Sequence, residues 1–172
     1  MSVTILRPNT TNSSTGFDPA GNDLALAIGD NNNSTNTTQT SNVANFSVGF
    51  SNFPESHNAN IVSITPSLTG QLTAKTLLEI TTLIKLSNGD LLSESILNWD
   101  SLLAQTMDGT TVLNTVDKPL TPVILNEIYM VVTPNTGGIR VDELFLTVVY
   151  YESTRLEINN GRVQINNGKI TM

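Results

Sequence analysis

Hydrophobic and polar positions alternate along much of the chain with the two-residue period of half-buried β-strands. Residues 46–50 read Phe-Ser-Val-Gly-Phe, and a further short strand is expected at 61–64, before a proline. Residues 76–86 alternate on two faces; a helix is the alternative there, but their threonine and isoleucine content favours a strand. Asn88-Gly89 is typical of a hairpin turn, which predicts a return strand at 91–97.

The second half of the chain adds two more strands and one competing helix. Residues 123–132 and 139–151 are rich in β-branched and aromatic residues, and the second of these is apolar on both faces. A strand of that kind is expected at the centre of a sheet that is covered on both sides. Residues 93–107 overlap the return strand and are the best helix candidate, with Ser93 as the cap. The pattern therefore predicts an all-β, jelly-roll-like antiparallel sandwich with room for one short helix.

The two ends of the chain differ from the middle. Residues 1–15 contain a short apolar run and then polar residues, which predicts an N-terminal arm. Residues 16–153 are expected to form the sandwich domain. Residues 29–42 carry no apolar side chain, so their Asn, Ser and Thr side chains are expected to satisfy the backbone in turns.

Residues 154–172 form a C-terminal tail in which one seven-residue unit occurs twice. Ile-Asn-Asn-Gly-Arg-Val-Gln at 158–164 is followed by Ile-Asn-Asn-Gly-Lys-Ile-Thr at 165–171. Each Asn-Asn-Gly predicts a tight turn between strands of three to four residues. Such a small meander is marginal alone, so we expect three copies to wrap together; packing of the strands on their own sandwich is the alternative. The expected trimerisation residues share one side of the meander: Leu156, Ile158, Val163, Ile165, Ile170 and Met172.

Composition and charge exclude several classes of function. The chain of 172 residues contains 21 Asn, 24 Thr and 15 Ser, while only 13% of its residues are charged. Its net charge of −7 gives no basic footprint, so nucleic acid is not an expected partner. No apolar run reaches the roughly 18–20 residues of a membrane span, so no membrane partner is expected. There is no cysteine and only one histidine, which excludes thiol chemistry and multi-histidine metal sites.

No residue pattern assigns a catalytic, cofactor-binding or metal-ligating site. His57 stands beside Glu55 and Ser56, but adjacency in sequence does not assemble a catalytic triad. Asp30 begins a loop that resembles a calcium loop, although it lacks the glycine and the final acidic residue that such a loop requires. Asp142 and Glu143, like Asp100 and Asp108, are interpreted as carboxylates on the surface. The aromatic residues could form a carbohydrate platform, although packing in the core is the alternative use: Trp99, Tyr129, Tyr150 and Tyr151.

The order of these features resembles the β-sandwich modules of tailed-phage virion proteins. The resemblance covers residues 16–152: a Gly/Asn/Ser/Thr-rich opening to residue 42, the Phe46–Phe50 strand, a Phe-Pro turn, and the long strand at 139–151. It implies a capsid decoration (cement) protein or a head or tail fibre module, and the Asn-Gly tail is similar to trimeric ends of phage appendages. The resemblance implies no catalytic residues, and the chain is too short for a fibre shaft.

The expected function is therefore that of a homotrimeric decoration protein, without enzymatic activity, on the outer capsid surface of a virion made in the host cytoplasm. Its partners would be two further copies and the major capsid protein. The apolar run of the arm would add a strand to the shell, through Val3, Ile5, Leu6 and Arg7. The alternative is a fibre or adaptor module that binds a receptor or a glycan.

Overall fold

The structure is a computed structural model that describes residues 1–19, 22–30, 35–54, 59–74, 78–135 and 138–152, together with the backbone of two short tail strands. The two helices are α1 (Asn22–Gly29) and α2 (Pro122–Leu125). The strands are β1 (Ser2–Leu6), β2 (Pro8–Thr15), β3 (Phe17–Asp18), β4 (Thr37–Gln39), β5 (Asn45–Phe50), β6 (Asn60–Leu72), β7 (Leu78–Leu86), β8 (Leu91–Trp99), β9 (Gln105–Asp108), β10 (Val112–Leu113), β11 (Ile128–Pro134), β12 (Ile139–Tyr151), β13 (Leu156–Asn159) and β14 (Arg162–Ile165).

Two antiparallel sheets face each other and enclose one hydrophobic core, which confirms the predicted all-β sandwich. The seven-stranded sheet has the order β10-β6-β12-β4-β3, with β1 also paired to β12 and β9 also paired to β6. The five-stranded sheet has the order β2-β5-β11-β7-β8. Alternate residues of each strand point inward, so that Phe46, Ile64 and Leu144 are all fully buried between the sheets.

The strand predicted at 139–151 has these bounds in the structure as β12 and is central to its sheet. Its partner β6 is longer than the predicted 61–64 and continues through Pro66. The Pro66 carbonyl accepts a hydrogen bond from Gly109 N (2.8 Å), so the side of Pro66 that lacks an N–H faces the gap between β9 and β10. A proline is tolerated there because no neighbouring strand requires its missing donor.

The predicted helix at 93–107 is wrong. Residues 91–99 form β8, which pairs with β7 along its length, and residues 105–108 form β9. Trp99 points into the core while Ile96 is exposed, so two residues that a helix would bring to one side lie on opposite faces. Pairing with β7 therefore overrides the weak helical periodicity.

Both observed helices fall where no helix was expected. In α1 an apolar patch of five residues buries Leu24, Ala25 and Ile28 against the core. In α2 the Thr121 hydroxyl accepts a hydrogen bond from Ile124 N (3.2 Å), and Pro122 occupies the first turn. The strand predicted at 123–132 is therefore divided into this helical turn and β11. Among the described residues, no helix is long and apolar enough to cross a membrane.

The N-terminal residues contribute to both sheets. β1 pairs with β12 and β2 pairs with β5, although residues 1–15 are expected from the sequence to form a separate arm. Leu6 is buried in the core, so hydrophobic packing also holds this segment against the sheets.

The tail strands β13 and β14 are four residues long and pair antiparallel, with Leu156 opposite Ile165 and Ile158 opposite Val163. Ile170 and Met172 lie outside the described residues. Trimerisation through this tail stays a prediction.

Candidate functional site

A groove of about 700 Å³ lies on the outer face of the five-stranded sheet, across β2, β5 and β11. We call it the outer groove. Phe46, Val48 and Phe50 of β5 point into the core, so Ser47 and Gly49 point outward and form part of its floor. The groove therefore exists because the alternation of β5 places its smallest residues on the outer face.

Gly49 is the central position of this floor. It pairs with Tyr129 on one side and with Thr10 on the other, so the three residues form one row across three strands. Directly opposite side chains in an antiparallel pair are neighbours, and a glycine therefore leaves one flank of the Tyr129 ring uncovered. A Cβ atom at position 49 would lie 2.6 Å from Thr10 Oγ1, so the Thr10 hydroxyl lies close over the glycine and a side chain there would displace it.

Hydroxyl groups form the next part of the floor. Ser13 Oγ and Ser47 Oγ lie 2.9 Å apart in a hydrogen bond across β2 and β5. Both serines line the outer groove. The floor thus presents one aromatic ring beside a row of hydroxyl groups.

Amide side chains surround this floor: Asn9, Asn12, Asn52 and Asn126. Asn126 Oδ1 accepts the backbone N–H of Phe53 (2.8 Å), which fixes the orientation of its amide. The amides of Asn9, Asn12 and Asn52 have no hydrogen bonds to other described residues, so their donors and acceptors can bind a ligand. Glu127 is the one charged residue that lines the groove among the described residues.

The aromatic residues considered as a carbohydrate platform have different positions. Trp99 and Tyr150 are buried in the core, and Tyr150 packs edge-on against Phe53 at 5.2 Å between ring centroids. Tyr151 is exposed on the seven-stranded sheet, on the other side of the molecule. Only Tyr129 lines the groove. The sequence alone does not distinguish this tyrosine from the others.

Three of the carboxylates considered above have a partner within the protein. Asp142 is fully buried at a β-bulge, where Arg140 donates two hydrogen bonds to it, from Nε (2.8 Å) and Nη2 (3.3 Å). Glu143 lies 3.8 Å from the Arg7 guanidinium, and Asp108 accepts a hydrogen bond from the Ser67 hydroxyl (2.6 Å). The interpretation of Asp142 and Glu143 as surface carboxylates is wrong, because the bulge turns both residues inward.

Nothing in the described part of the chain forms a metal site from three or more His, Cys, Asp or Glu side chains. Asp30 Oδ2 accepts a hydrogen bond from the Thr35 hydroxyl (2.5 Å). Asp100 is exposed after β8. His57, with Glu55 and Ser56, lies outside the described residues.

The four residues proposed for capsid contact are not equivalent. Val3 and Ile5 are exposed on the outer face of the seven-stranded sheet, whereas Leu6 is buried in the core. Arg7 is partly buried beside Glu143, and its guanidinium lies 5.7 Å from the centroid of the Phe145 ring. A segment already paired into both sheets is not available to add a strand to another protein in the way the arm was expected to.

No family model and no curated protein matches this chain. Three solved structures with a similar architecture are carbohydrate-binding modules. The C-terminal CBM6 of LamC, a marine laminarinase from Zobellia galactanivorans, aligns with 86% of this chain and 99% of its own, at 11% identity and a TM-score of 0.48. A carbohydrate-binding module of Cellvibrio mixtus lichenase 5A, solved in complex with cellotriose, aligns with 88% of this chain and 100% of its own, at 9% identity and a TM-score of 0.45.

A CBM36-1 domain of a multidomain xylanase from the hindgut metagenome of Trinervitermes trinervoides aligns with 88% of this chain and all of its own, at 8% identity and a TM-score of 0.42. At these values the likeness concerns architecture, and it assigns no ligand to this chain.

The comparisons correct the expectation of a capsid decoration protein. The virion resemblance depended on the sandwich architecture and on composition, whereas the three solved structures compared above are carbohydrate-binding modules. One sandwich architecture hosts many unrelated functions, so it does not by itself identify a phage shell protein. The remaining question is what the outer groove can bind.

Proposed function

We propose that this chain is a non-catalytic carbohydrate-binding module that binds a neutral glycan in the outer groove. The observation that carries the proposal is the position of Tyr129 beside Gly49, with three unbonded asparagine amides around them. This arrangement combines one apolar ring with several fixed polar groups, as small-molecule sites generally do.

The chemistry of the groove fits a sugar better than other ligands of similar size. A pyranose ring offers apolar C–H faces and hydroxyl groups that both donate and accept hydrogen bonds. Tyr129 can pack against such a face, while Asn9, Asn12 and Asn52 can pair with the hydroxyl groups in either sense. An anionic ligand would instead meet Glu127 in the groove lining, where the nearest cation by strand pairing is Lys85, opposite Tyr129 on β7.

We expect Tyr129→Ala to weaken glycan binding by at least about tenfold, the loss typical of a buried aromatic contact in an interface. The measurement is affinity electrophoresis in gels that contain a soluble neutral β-glucan, xylan or α-glucan, followed by calorimetry on the polysaccharide that retards the protein. These polysaccharides differ in linkage, so the series also identifies the preferred backbone.

The matched control is Tyr151→Ala, which removes an exposed tyrosine from the opposite face of the molecule. This variant should bind as the unaltered chain does. The proposal is wrong if none of the three polysaccharides retards the unaltered protein, or if both tyrosine variants lose binding equally.

A further inference from the structure

Strand β2 forms two β-bulges against β5, and the extra residue of each bulge is an asparagine. The register shifts at Asn9 and again at Asn12, so neither residue has a partner of its own on β5. In a regular strand, positions 9 and 12 would point to opposite faces, but a bulge changes the direction of the side chains beside it. The residues of β2 that line the outer groove are Asn9, Thr10, Asn12 and Ser13.

The residue between the two bulges points the other way. Thr11 faces α1, where its hydroxyl accepts the Ala25 N–H (3.0 Å). The bulges therefore turn two residues of every three toward the groove, while β2 keeps its contact with the helix.

The two asparagines lie on opposite sides of Tyr129 along the groove. Thr10, between them in the sequence, pairs with Gly49, which pairs with Tyr129. Asn9 borders this row on the side toward the end of β5. Asn12 borders it on the other side, and its Oδ1 would lie 3.9 Å from a Cβ atom at position 49. The aromatic ring thus has an amide on each side, and neither amide has a hydrogen bond to another described residue.

Each of these asparagines is accompanied by a further polar group. Because β2 and β5 are antiparallel, Asn52, which follows β5, lies at the same end of the groove as Asn9. Ser47 lies at the end of Asn12, where its hydroxyl is bonded to that of Ser13 (2.9 Å). The groove therefore has a polar zone at each end and an aromatic zone in the middle.

The groove is longer along the strands than across its central row. From Ser47 to Asn52 the chain advances five residues, about 17 Å at the rise of an extended strand. Across the row of Tyr129 the groove spans β2, β5 and β11, two strand spacings or about 10 Å. A chain-like ligand therefore fits with its axis parallel to β5.

The floor of the groove is one face of a sheet, which favours an extended ligand over a coiled one. A β-1,4-linked glycan is a ribbon whose residues follow one another along a line. An α-1,4-linked glucan coils and leaves such a floor after a few residues. Three residues of the ribbon, placed end to end, fit the groove length of about 17 Å and match its three zones.

We propose that the outer groove binds three consecutive residues of an extended, β-linked neutral glycan whose axis follows β5. The middle residue packs on Tyr129, and the two outer residues bind the bulge asparagines, Asn9 and Asn12. An amide both donates and accepts hydrogen bonds, as sugar hydroxyl groups do. The inference rests on the proposed function and specifies its ligand class and two specificity-determining side chains.

The first test measures how affinity depends on chain length in the unaltered protein. Calorimetry is performed with the β-1,4-linked glucose and xylose series and with the α-1,4-linked maltose series, each from the monosaccharide to the hexasaccharide. In a β-linked series we expect affinity to rise about fivefold to tenfold with each residue up to the trisaccharide, the effect of roughly one net hydrogen bond. From the trisaccharide to the hexasaccharide it should rise less than about twofold.

The second test truncates the two amides. Asn9→Ala and Asn12→Ala should each bind the trisaccharide about fivefold to tenfold more weakly, because one outer residue loses its partner. Their affinity for the monosaccharide, which packs on Tyr129, should change by less than about twofold. Asn98→Ala is the matched control, an exposed asparagine on the outer face of β8 and outside the groove lining, and it should bind every ligand as the unaltered chain does.

Four results would overturn the proposal while leaving glycan binding intact. The first two are equal affinity for the monosaccharide and the trisaccharide, and affinity that rises in equal steps to the hexasaccharide. The third is binding confined to the maltose series, and the fourth is equal weakening of the monosaccharide and the trisaccharide by the asparagine variants. A protein that none of the polysaccharides retards would instead remove the proposed function itself. The length series needs no variant, so it decides the matter even if a substitution disturbs a bulge.

Discussion

At the scale of single residues, the Asp142 carboxylate is the charged group whose burial costs most. Its carboxylate is fully buried at a bulge, and two hydrogen bonds from Arg140 compensate for the water that it loses. Glu143, the next residue, is less buried and lies farther from its partner, since 3.8 Å separates it from Arg7. Adjacent carboxylates of the same strand thus have different energetic roles.

This difference predicts unequal losses of stability. Arg140→Met should lower the free energy of unfolding by about 3 kcal/mol, because it leaves a buried carboxylate without its partner. Arg7→Met should cost less, since the Glu143 pair is longer and more accessible to water. Urea denaturation measures both. Adding Asp142→Asn to Arg140→Met should recover part of the loss, and equal losses in the two single variants would contradict this account.

At the scale of elements, α1 shows how a short segment can belong to the core. It buries Leu24, Ala25 and Ile28, and the Thr11 hydroxyl of β2 accepts the Ala25 N–H (3.0 Å). The same helix exposes Leu26 to solvent. With only eight residues it is too short to be stable alone, so its contacts with the sheets hold it.

We therefore expect Leu24→Ala to destabilise the protein by about 3 kcal/mol, the cost of a cavity in a packed core. Leu26→Ala makes the same chemical change two residues away and should alter stability by less than about 0.5 kcal/mol. The two midpoints of urea denaturation give the comparison directly. If both substitutions were neutral, α1 would not be packed as described.

The outcome for β8 shows why elements of this chain are hard to predict one at a time. Residues 93–107 contain apolar residues at both two-residue and helical spacings, and only the pairing of β8 with β7 selects the strand. Likewise, the strand predicted from sequence stops before Pro66, whereas β6 continues through it. Pro66 lies at the gap between β9 and β10, where no neighbouring strand needs its missing N–H.

At the scale of the whole molecule, acidic charge restricts the glycans that the outer groove can bind. The net charge of residues 1–152 is −9, and Glu127 lines the groove. A polyanionic glycan approaches against this field, and the repulsion is screened by salt over a Debye length of about 8 Å at physiological ionic strength.

We expect a neutral polysaccharide to retard the protein in affinity electrophoresis at both low and high salt. A polyuronate or sulfated polysaccharide should not retard it at low salt. Glu127→Gln should leave binding of the neutral polysaccharide within about threefold, because a rim charge acts mainly on association kinetics. Retardation by the polyanion alone, lost on adding salt, would show that the charge argument is wrong.

Several features followed from the sequence alone for direct physical reasons. A two-residue alternation of apolar residues, strands separated by Pro, Gly and Asn, and the long apolar run at 139–151 are local properties, and they predicted the sandwich and its central strand. Charge and the lack of cysteine excluded whole classes of chemistry in the same way.

The tertiary structure alone decided which residues meet. Gly49 and Tyr129 are 80 positions apart, and only the register between β5 and β11 makes them neighbours in the outer groove. The same holds for Val3 and Val149, which only the pairing of β1 with β12 makes neighbours. Periodicity records whether a residue faces inward or outward, but it carries no information about its partner across the sheet, because pairing depends on the packing of the whole sandwich.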